Sequence, residues 1–256
     1  PPRSTLFPYT TLFRSHTRQH TAQHLLSAVV MRLLGGMTVS FHLGERYSSI
    51  DIDCAPPDRA TLDLIEDEVL RVIGYDFQVM THLCPPEDAA AFPLRKEPTV
   101  ETGTLRIVEI DGLDYSACCG THVRSTSALA PFRLMRAEKY KGGARLFYLA
   151  GGRAYADYRR LSGIARKLAR VTGVPEDGIT ATVMAYRESI QVLEKETAEL
   201  RERLAGFRAS ELAGTVPEGA PVVVVEGTVQ AATVLVRAIA SLGRDRKSTR
   251  LNYSHR

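Results

Sequence analysis

The sequence contains no apolar run that approaches the roughly 18 residues of a membrane-spanning helix. Its four cysteines have no regular spacing, and two of them are adjacent, so they do not form the pattern of a disulfide framework. These absences predict a protein without a membrane segment, and they favour a reducing, cytoplasmic environment over a secreted one. The hydrophobic and charged fractions, 44% and 24%, are those of an ordinary globular protein.

The chain also lacks an informative excess of charge. Its 256 residues have a formal net charge of +4, but residues 1–15 contribute +2 and residues 244–256 contribute +4. Both ends resemble translated sequencing-adapter text, and we exclude them from the interpretation of the fold. Residues 16–243 are then left at about −2, so the overall charge gives no reason to expect nucleic acid as a partner. Any such case must rest on local patches.

The pair His20 and His24 opens a segment whose apolar residues recur at helical spacing. Imidazoles four residues apart lie on one face of a helix, where they can offer two nitrogens to one metal ion. A hundred residues or so later, the stretch 118–122 reads Cys-Cys-Gly-Thr-His and brings a thiol close to a third imidazole. Histidine and cysteine ligands suit zinc, so the sequence predicts a metal site that joins an early helix to a later loop.

Two alternatives stay open on the residues alone. His16 and His20 have the same spacing as His20 and His24, but the apolar residues begin at Leu25, which favours the second pair. Either pair could also be a surface feature without a ligand role. No glutamate lies between His20 and His24, so this helix lacks the general base of the His-Glu-x-x-His metalloproteases.

The two stretches together resemble a known family. His-Thr-Ala-Gln-His-Leu-Leu at 20–26 and Ala-Cys-Cys-Gly-Thr-His-Val at 117–123 are similar to the zinc-binding editing domain of alanyl-tRNA synthetases and of free-standing alanyl-tRNA editing proteins of the AlaX type. The resemblance covers most of residues 16–243. The editing domain of threonyl-tRNA synthetases is more distant, because it typically has Gly-Pro-His where this chain has Gly-Thr-His at residues 120–122. Cys119 stands where the alanine group usually has glycine, and the family's ligand position falls on Cys118.

The resemblance implies a Zn²⁺ ion held by His20, His24, Cys118 and His122, and an aminoacyl-tRNA deacylase that hydrolyses the ester of serine or glycine on tRNA for alanine. Four protein ligands favour an ion that anchors the substrate, whereas three would leave a position for water. Two other interpretations stay open. One is an editing fragment of an alanyl-tRNA synthetase, an ATP-dependent ligase, and the other is a catalytically silent module that binds zinc and tRNA.

The resemblance places the substrate pocket beside the ligands and on a predicted hairpin of residues 38–43 and 47–53, with the candidates Thr21, Ser40, His42 and Thr121. Each of these side chains could instead serve only local hydrogen bonding or be an exposed strand residue. A second predicted hairpin turns at residues 141–143 and concentrates cations. Its candidate tRNA phosphate contacts are Lys139, Lys141, Gly142, Gly143 and Arg145, and the alternative is a solvated strand edge protected by charge.

The predicted fold is α/β, with three native segments between the adapter-like tails of residues 1–15 and 244–256. Residues 16–151 form an α+β two-layer, zinc-containing editing domain, residues 152–213 a long helical hairpin or coiled-coil arm, and residues 214–243 the truncated start of a small DHH-associated α/β domain. The implied partners are mischarged tRNA for alanine and a second copy, in a homodimer of the full-length protein formed through the coiled coil and the missing C-terminal domain.

Overall fold

The computed structural model describes residues 6–98, 102–215 and 229–241. Its helices are α1 (Leu6–Leu34), α2 (Arg59–Tyr75), α3 (Gly152–Thr172), α4 (Ile179–Thr215) and α5 (Val229–Ser241). Its strands are β1 (Thr38–Leu43), β2 (Ser48–Ile52), β3 (Val79–Cys84), β4 (Leu105–Ile110), β5 (Asp114–Ala117), β6 (Phe132–Tyr140) and β7 (Gly143–Ala150). Short 3-10 segments lie at Pro86–Ala91, Thr126–Leu129 and Glu176–Gly178. The chain divides into two compact units, Pro1–Ile164 and Ala165–Arg256.

The first unit contains two antiparallel sheets. The strand order is β1-β2-β7-β6 in the larger sheet and β3-β4-β5 in the smaller one. In the larger sheet, Ile50 of β2 lies opposite Leu146 of β7 and Phe41 of β1. Side chains alternate across a strand, so these three residues share one face of the sheet, and Ile50 and Leu146 are buried in the core on that face. Helices and antiparallel strands together confirm the predicted α/β class.

The core of the first unit forms where the apolar faces of α1 and α2 meet the sheets. Its buried members include Leu25, Leu26, Val29, Ile65, Val69, Ile110 and Tyr148. The apolar residues of α1 recur at the spacing that puts them on one side of a helix, and this side packs against the core. His20 and His24 lie in the same helix and are themselves buried, so packing of α1 fixes the direction in which both rings point.

The helix ends follow local backbone chemistry. Helix α1 ends at Leu34, and the following Gly35 has φ +68° and donates its N–H to the carbonyl of Met31 at 2.9 Å. Asp58 caps α2 by accepting the N–H of Thr61 at 2.8 Å. Helix α2 runs past Gly74 to Tyr75, and Asp76 takes the left-handed conformation with φ +56°.

Most of the predicted elements are present, with two differences. Helix α1 begins at Leu6, inside the stretch of residues 1–15 that we excluded from the fold. Strand β5 was not predicted, because it is only four residues long and its two buried positions are the polar residues Asp114 and Ser116. The predicted start of the small DHH-associated domain consists of a strand at residues 221–227 and a helix at residues 228–242. The strand lies outside the described residues, whereas the helix is confirmed as α5.

The second unit contains the end of α3 together with α4 and α5. Helices α4 and α5 pack through a small cluster of Ala205, Ala209 and Leu235. The apolar residues of α4 recur in heptads and are between 49% and 72% exposed, namely Val183, Tyr186, Ile190, Leu193, Leu200, Leu204 and Phe207. None of the described helices is both long and apolar enough to cross a membrane.

Candidate metal centre

The four predicted ligands come together from two distant parts of the chain. Helix α1 supplies His20 and His24, and the loop after β5 supplies Cys118 and His122. One ligand atom from each of the four residues lies within 4.8 Å of all the others. The thiol Sγ of Cys118 is 3.5 Å from Nε2 of His20 and 3.4 Å from Nε2 of His122. The sulfur of Cys118 therefore lies in the cluster, whereas Cys119 is exposed and His16 is not part of the cluster.

An arginine that the sequence did not single out holds the loop in place. Nη1 of Arg106 donates to the carbonyls of Cys118 at 2.6 Å and of Gly120 at 2.8 Å. The N–H of Cys118 in turn donates to the carbonyl of Arg106 at 3.0 Å. A Cβ atom at Gly120 would overlap the ring of His20, so the absence of a side chain there lets loop and helix approach closely.

The thiol of Cys118 is poised to ionise. Its burial acts to raise the pKa, but the contacts of the sulfur with the rings of His122, His20 and His24 and with the N–H of Gly120 outweigh that effect and lower the pKa to about 3. Thiolate is the form that binds metal ions. At neutral pH the cluster therefore presents a negative sulfur to three imidazole rings.

Two of the histidines have a partner on the ring nitrogen that faces away from the sulfur. Nδ1 of His24 lies 3.4 Å from the carboxylate of Asp114, which can only accept, so Nδ1 carries the proton. The hydroxyl of Thr21 donates to the carbonyl of Thr17 at 3.2 Å, so it accepts from Nδ1 of His122 at 3.1 Å. Both rings are thereby set to turn the lone pair of Nε2 towards the cluster, the arrangement that metal-binding histidines use.

Asp114 is itself held in a buried network. Its side chain is 1% exposed, and Arg95 donates to it from Nε at 2.8 Å while Ser116 donates from Oγ at 3.0 Å. Burial acts to raise the pKa of Asp114, but contacts with His24 and Arg95 lower it below its ordinary value. Burial acts to lower the pKa of His24, and the hydrogen bond to Asp114 outweighs it, so that pKa is raised. Sequence patterns did not reveal this network, because its members are scattered and polar.

The predicted pocket residues separate into two groups. Thr21 and Thr121 lie at the cluster, where the Thr121 hydroxyl is 3.0 Å from that of Thr17. The ring of Phe41 stacks on His20 with centroids 5.5 Å apart. Ser40 and His42 flank Phe41 in β1, and alternation along the strand turns their side chains to the opposite face of the sheet.

On that opposite face, Ser40 joins the predicted phosphate contacts. A cavity of about 450 Å³ is lined by Ser40, Asp51, Tyr140, Lys141, Gly142, Gly143 and Arg145. Asp51 accepts from Arg145 at 2.6 and 2.9 Å and from Ser40 at 2.5 Å, and the guanidinium of Arg145 lies 3.7 Å from the ring centre of Tyr140. Lys139 and Lys141 are exposed, without an ion pair among the described residues. The turn that joins β6 to β7 has positive φ at Lys141 and Gly142.

The fold and the cluster together define an α/β protein with a three-histidine, one-cysteine site of the kind that binds a transition metal. Residues 105–148, which include Cys118 and His122, match the family described as the threonyl and alanyl tRNA synthetase second additional domain. The resemblance predicted from the sequence is confirmed, and the chain is a relative of the alanyl-tRNA editing proteins and of the alanine–tRNA ligases.

Relatives of both kinds align with about three quarters of the chain. The Xenopus laevis alanyl-tRNA editing protein Aarsd1-A is 31% identical, over 76% of this chain and 48% of that protein. The Danio rerio alanyl-tRNA editing protein Aarsd1 is 28% identical, over 74% of this chain and 47% of that protein. The alanine–tRNA ligase of Pyrococcus abyssi is 27% identical, over 77% of this chain and 22% of that protein. The chain thus spans about half the length of the editing proteins it matches.

Proposed function

We propose that this chain carries the hydrolytic centre of an alanyl-tRNA editing enzyme, which removes serine or glycine in trans from tRNA for alanine with the help of Zn²⁺. The observation that carries the proposal is the convergence of His20, His24, Cys118 and His122 within 4.8 Å. Its relatives named as alanyl-tRNA editing proteins support the substrate class. The editing domain would have the α+β two-layer form typical of this family.

The donor set fits zinc. With the proton on Nδ1, His24 and His122 turn the lone pairs of Nε2 towards the thiolate of Cys118, and such a group of electron-rich atoms favours a cation among them. When bound, zinc would supply positive charge that polarises or anchors the acyl group. The hydroxyls of Thr17 and Thr121, side by side at 3.0 Å, are placed to orient a polar substrate group next to the ligands. Phe41, stacked on His20, covers that side of the site with an apolar surface.

A hydrolytic centre of this kind is needed because selection of alanine by the shape of a pocket is limited. A pocket that fits alanine discriminates against glycine, which lacks a methyl group, or serine, which adds a hydroxyl, by only about 1–3 kcal/mol. A second site that accepts serine can use its hydroxyl as a favourable contact.

We propose that the residues of the β6–β7 turn and its flanks contact tRNA phosphates, namely Lys139, Lys141, Gly142, Gly143 and Arg145. Lys139 and Lys141 have the more available charge, because Arg145 is paired with Asp51.

Two other functions have support of their own. The similarity to alanine–tRNA ligases favours an editing segment that works within a ligase. The extensive hydrogen bonding around the four ligands would equally serve a structural metal module that binds tRNA without hydrolysing it.

Incubation with serine-charged and alanine-charged tRNA for alanine distinguishes these functions. We expect the serine ester to be hydrolysed and the alanine ester to survive, measured as acid-precipitable radiolabelled amino acid. A silent module would leave both esters intact while still retarding tRNA on a native gel. The ligase alternative predicts ATP-dependent charging of tRNA by the longer protein to which the segment belongs.

A further inference from the structure

Helix α3 has an unusual charge for an exposed helix of this chain. It carries six cationic side chains and one acid, namely Arg153, Arg159, Arg160, Arg166, Lys167 and Arg170 against Asp157. Helix α4 is also exposed, but its five cations are matched by six acids. A helix that merely faces water normally mixes both signs as α4 does. The excess of positive charge on α3 therefore favours a partner of negative charge.

One face of α3 concentrates the features of a nucleic-acid contact. At about 100° per residue, Tyr155, Tyr158, Arg159, Arg166 and Arg170 fall within one third or so of the helix circumference. Tyr155 and Tyr158 are 54% and 63% exposed, and their rings stack with centroids 6.5 Å apart. Large exposed aromatic side chains next to arginines offer stacking surfaces for bases and charge for phosphates.

The cations of this face are available to a ligand. The opposite side of α3 is internally satisfied, because Asp157 pairs with Arg160 at 2.8 Å and with Arg133 of β6. Arg159, Arg166 and Arg170 are exposed, and no ion pair involves them among the described residues. Their positive charge is therefore not cancelled by neighbouring carboxylates.

The start of α3 is fastened beside the helix that carries the metal ligands. Nε of Arg153 donates to the Ser15 hydroxyl at 2.7 Å. One residue before His20, Gln19 exchanges two hydrogen bonds with the backbone of Ala150, at 2.8 and 3.1 Å. The tyrosine pair thus follows directly on a segment bound to α1, and the arginines lie further along α3.

We propose that this face of α3, defined by Tyr155, Tyr158, Arg159, Arg166 and Arg170, is a docking surface for the acceptor end of the RNA substrate. The inference rests on the proposed function. The arginines contact backbone phosphates of the duplex stem, and the tyrosines stack on unpaired nucleotides between that stem and the metal centre. The order of the two groups along α3 matches an RNA whose single-stranded 3′ end enters the site.

The test uses the whole chain with three RNA probes, namely a transcript of tRNA for alanine, an acceptor-stem minihelix and a single-stranded oligonucleotide of the 3′ end. Arg159→Gln with Arg166→Gln should weaken minihelix binding about tenfold and reduce the slope of log K against log salt by about 1–2, as expected from two lost phosphate contacts. Arg187→Gln with Lys195→Gln in α4 removes the same charge from the mixed-sign helix and should change neither quantity. Tyr155→Ala with Tyr158→Ala should weaken oligonucleotide binding at least about fivefold.

The outcomes separate this inference from the proposed function. Wild-type protein that hydrolyses the serine ester, with α3 variants of unchanged affinity and salt slope, overturns the inference and leaves the function standing. α3-dependent RNA binding without hydrolysis does the reverse. A wild type that binds none of the probes, or one in which α3 variants lose only binding to phosphatidylserine vesicles, also overturns it. Equal zinc content and circular dichroism in all variants confirm that the fold is retained.

Discussion

Cys118 and Cys119 are neighbours in the chain, but their surroundings give the two thiols different chemistry. The sulfur of Cys118 lies between the Nε2 atoms of His20 and His122, and its pKa is lowered to about 3. Cys119 is exposed and lies outside the cluster. The resemblance predicted Cys118 as the ligand, and the loop brings Cys118 rather than Cys119 beside the three histidines.

Replacing the two cysteines one at a time tests the assignment. Loss of a residue that only supports a ligand lowers metal affinity by up to about 100-fold. Because Cys118 is itself a predicted ligand, Cys118→Ala should lower zinc affinity by more than about 100-fold and should abolish deacylation. Cys119→Ala is the matched control and should change neither property. Zinc content after dialysis, measured by mass spectrometry, and hydrolysis of seryl-tRNA are the two measurements. The opposite pattern would mean that Cys119 is the ligand.

At the scale of elements, the site depends on a short strand whose buried positions are polar. Strand β5 places Asp114 against His24 of α1, and the irregular segment before β4 brings Arg95 to the same carboxylate. Apolar periodicity predicted α1, because its packing face is regular. It could not reveal β5 or the Asp114 network, since polar residues that meet only in three dimensions leave no spacing to detect.

Asp114→Asn tests whether β5 positions the metal ligand. Asparagine keeps the shape of the side chain but removes the negative charge that holds the proton on Nδ1 of His24, so zinc affinity should fall about 10- to 100-fold with all four ligands present. Competition with a chromophoric chelator measures the change. Asp111→Asn, at an exposed carboxylate close by in the same chain segment, is the control and should bind zinc like the wild type. Equal affinity of Asp114→Asn and wild type would show that the network serves only the fold.

At the scale of the whole molecule, α4 carries an apolar stripe that its own unit leaves exposed. The stripe keeps heptad spacing over most of the helix, with one polar position at Thr197. Glu196 and Arg201 flank it at the g and e positions, where two parallel copies could pair them. Burying an exposed leucine stabilises an assembly by about 1.5–3 kcal/mol, so several leucines in one stripe favour association. The periodicity was visible in the sequence, but it does not identify the partner.

We expect two copies of the chain to associate through this stripe, which is one of the two parts that the predicted homodimer of the full-length protein uses. Leu193→Glu and Leu200→Glu each place a carboxylate in the apolar stripe, which would be buried between the two copies. Each should raise the dimer dissociation constant at least about tenfold, because burying an unpaired charge is costly. Lys195→Glu introduces the same side chain at the outer f position and should leave association unchanged. Sedimentation velocity over a concentration series measures all four proteins. A wild type that stays monomeric throughout would refute the second copy as the partner of the stripe, and equal effects of Leu193→Glu and Lys195→Glu would show that charge rather than the seam controls association.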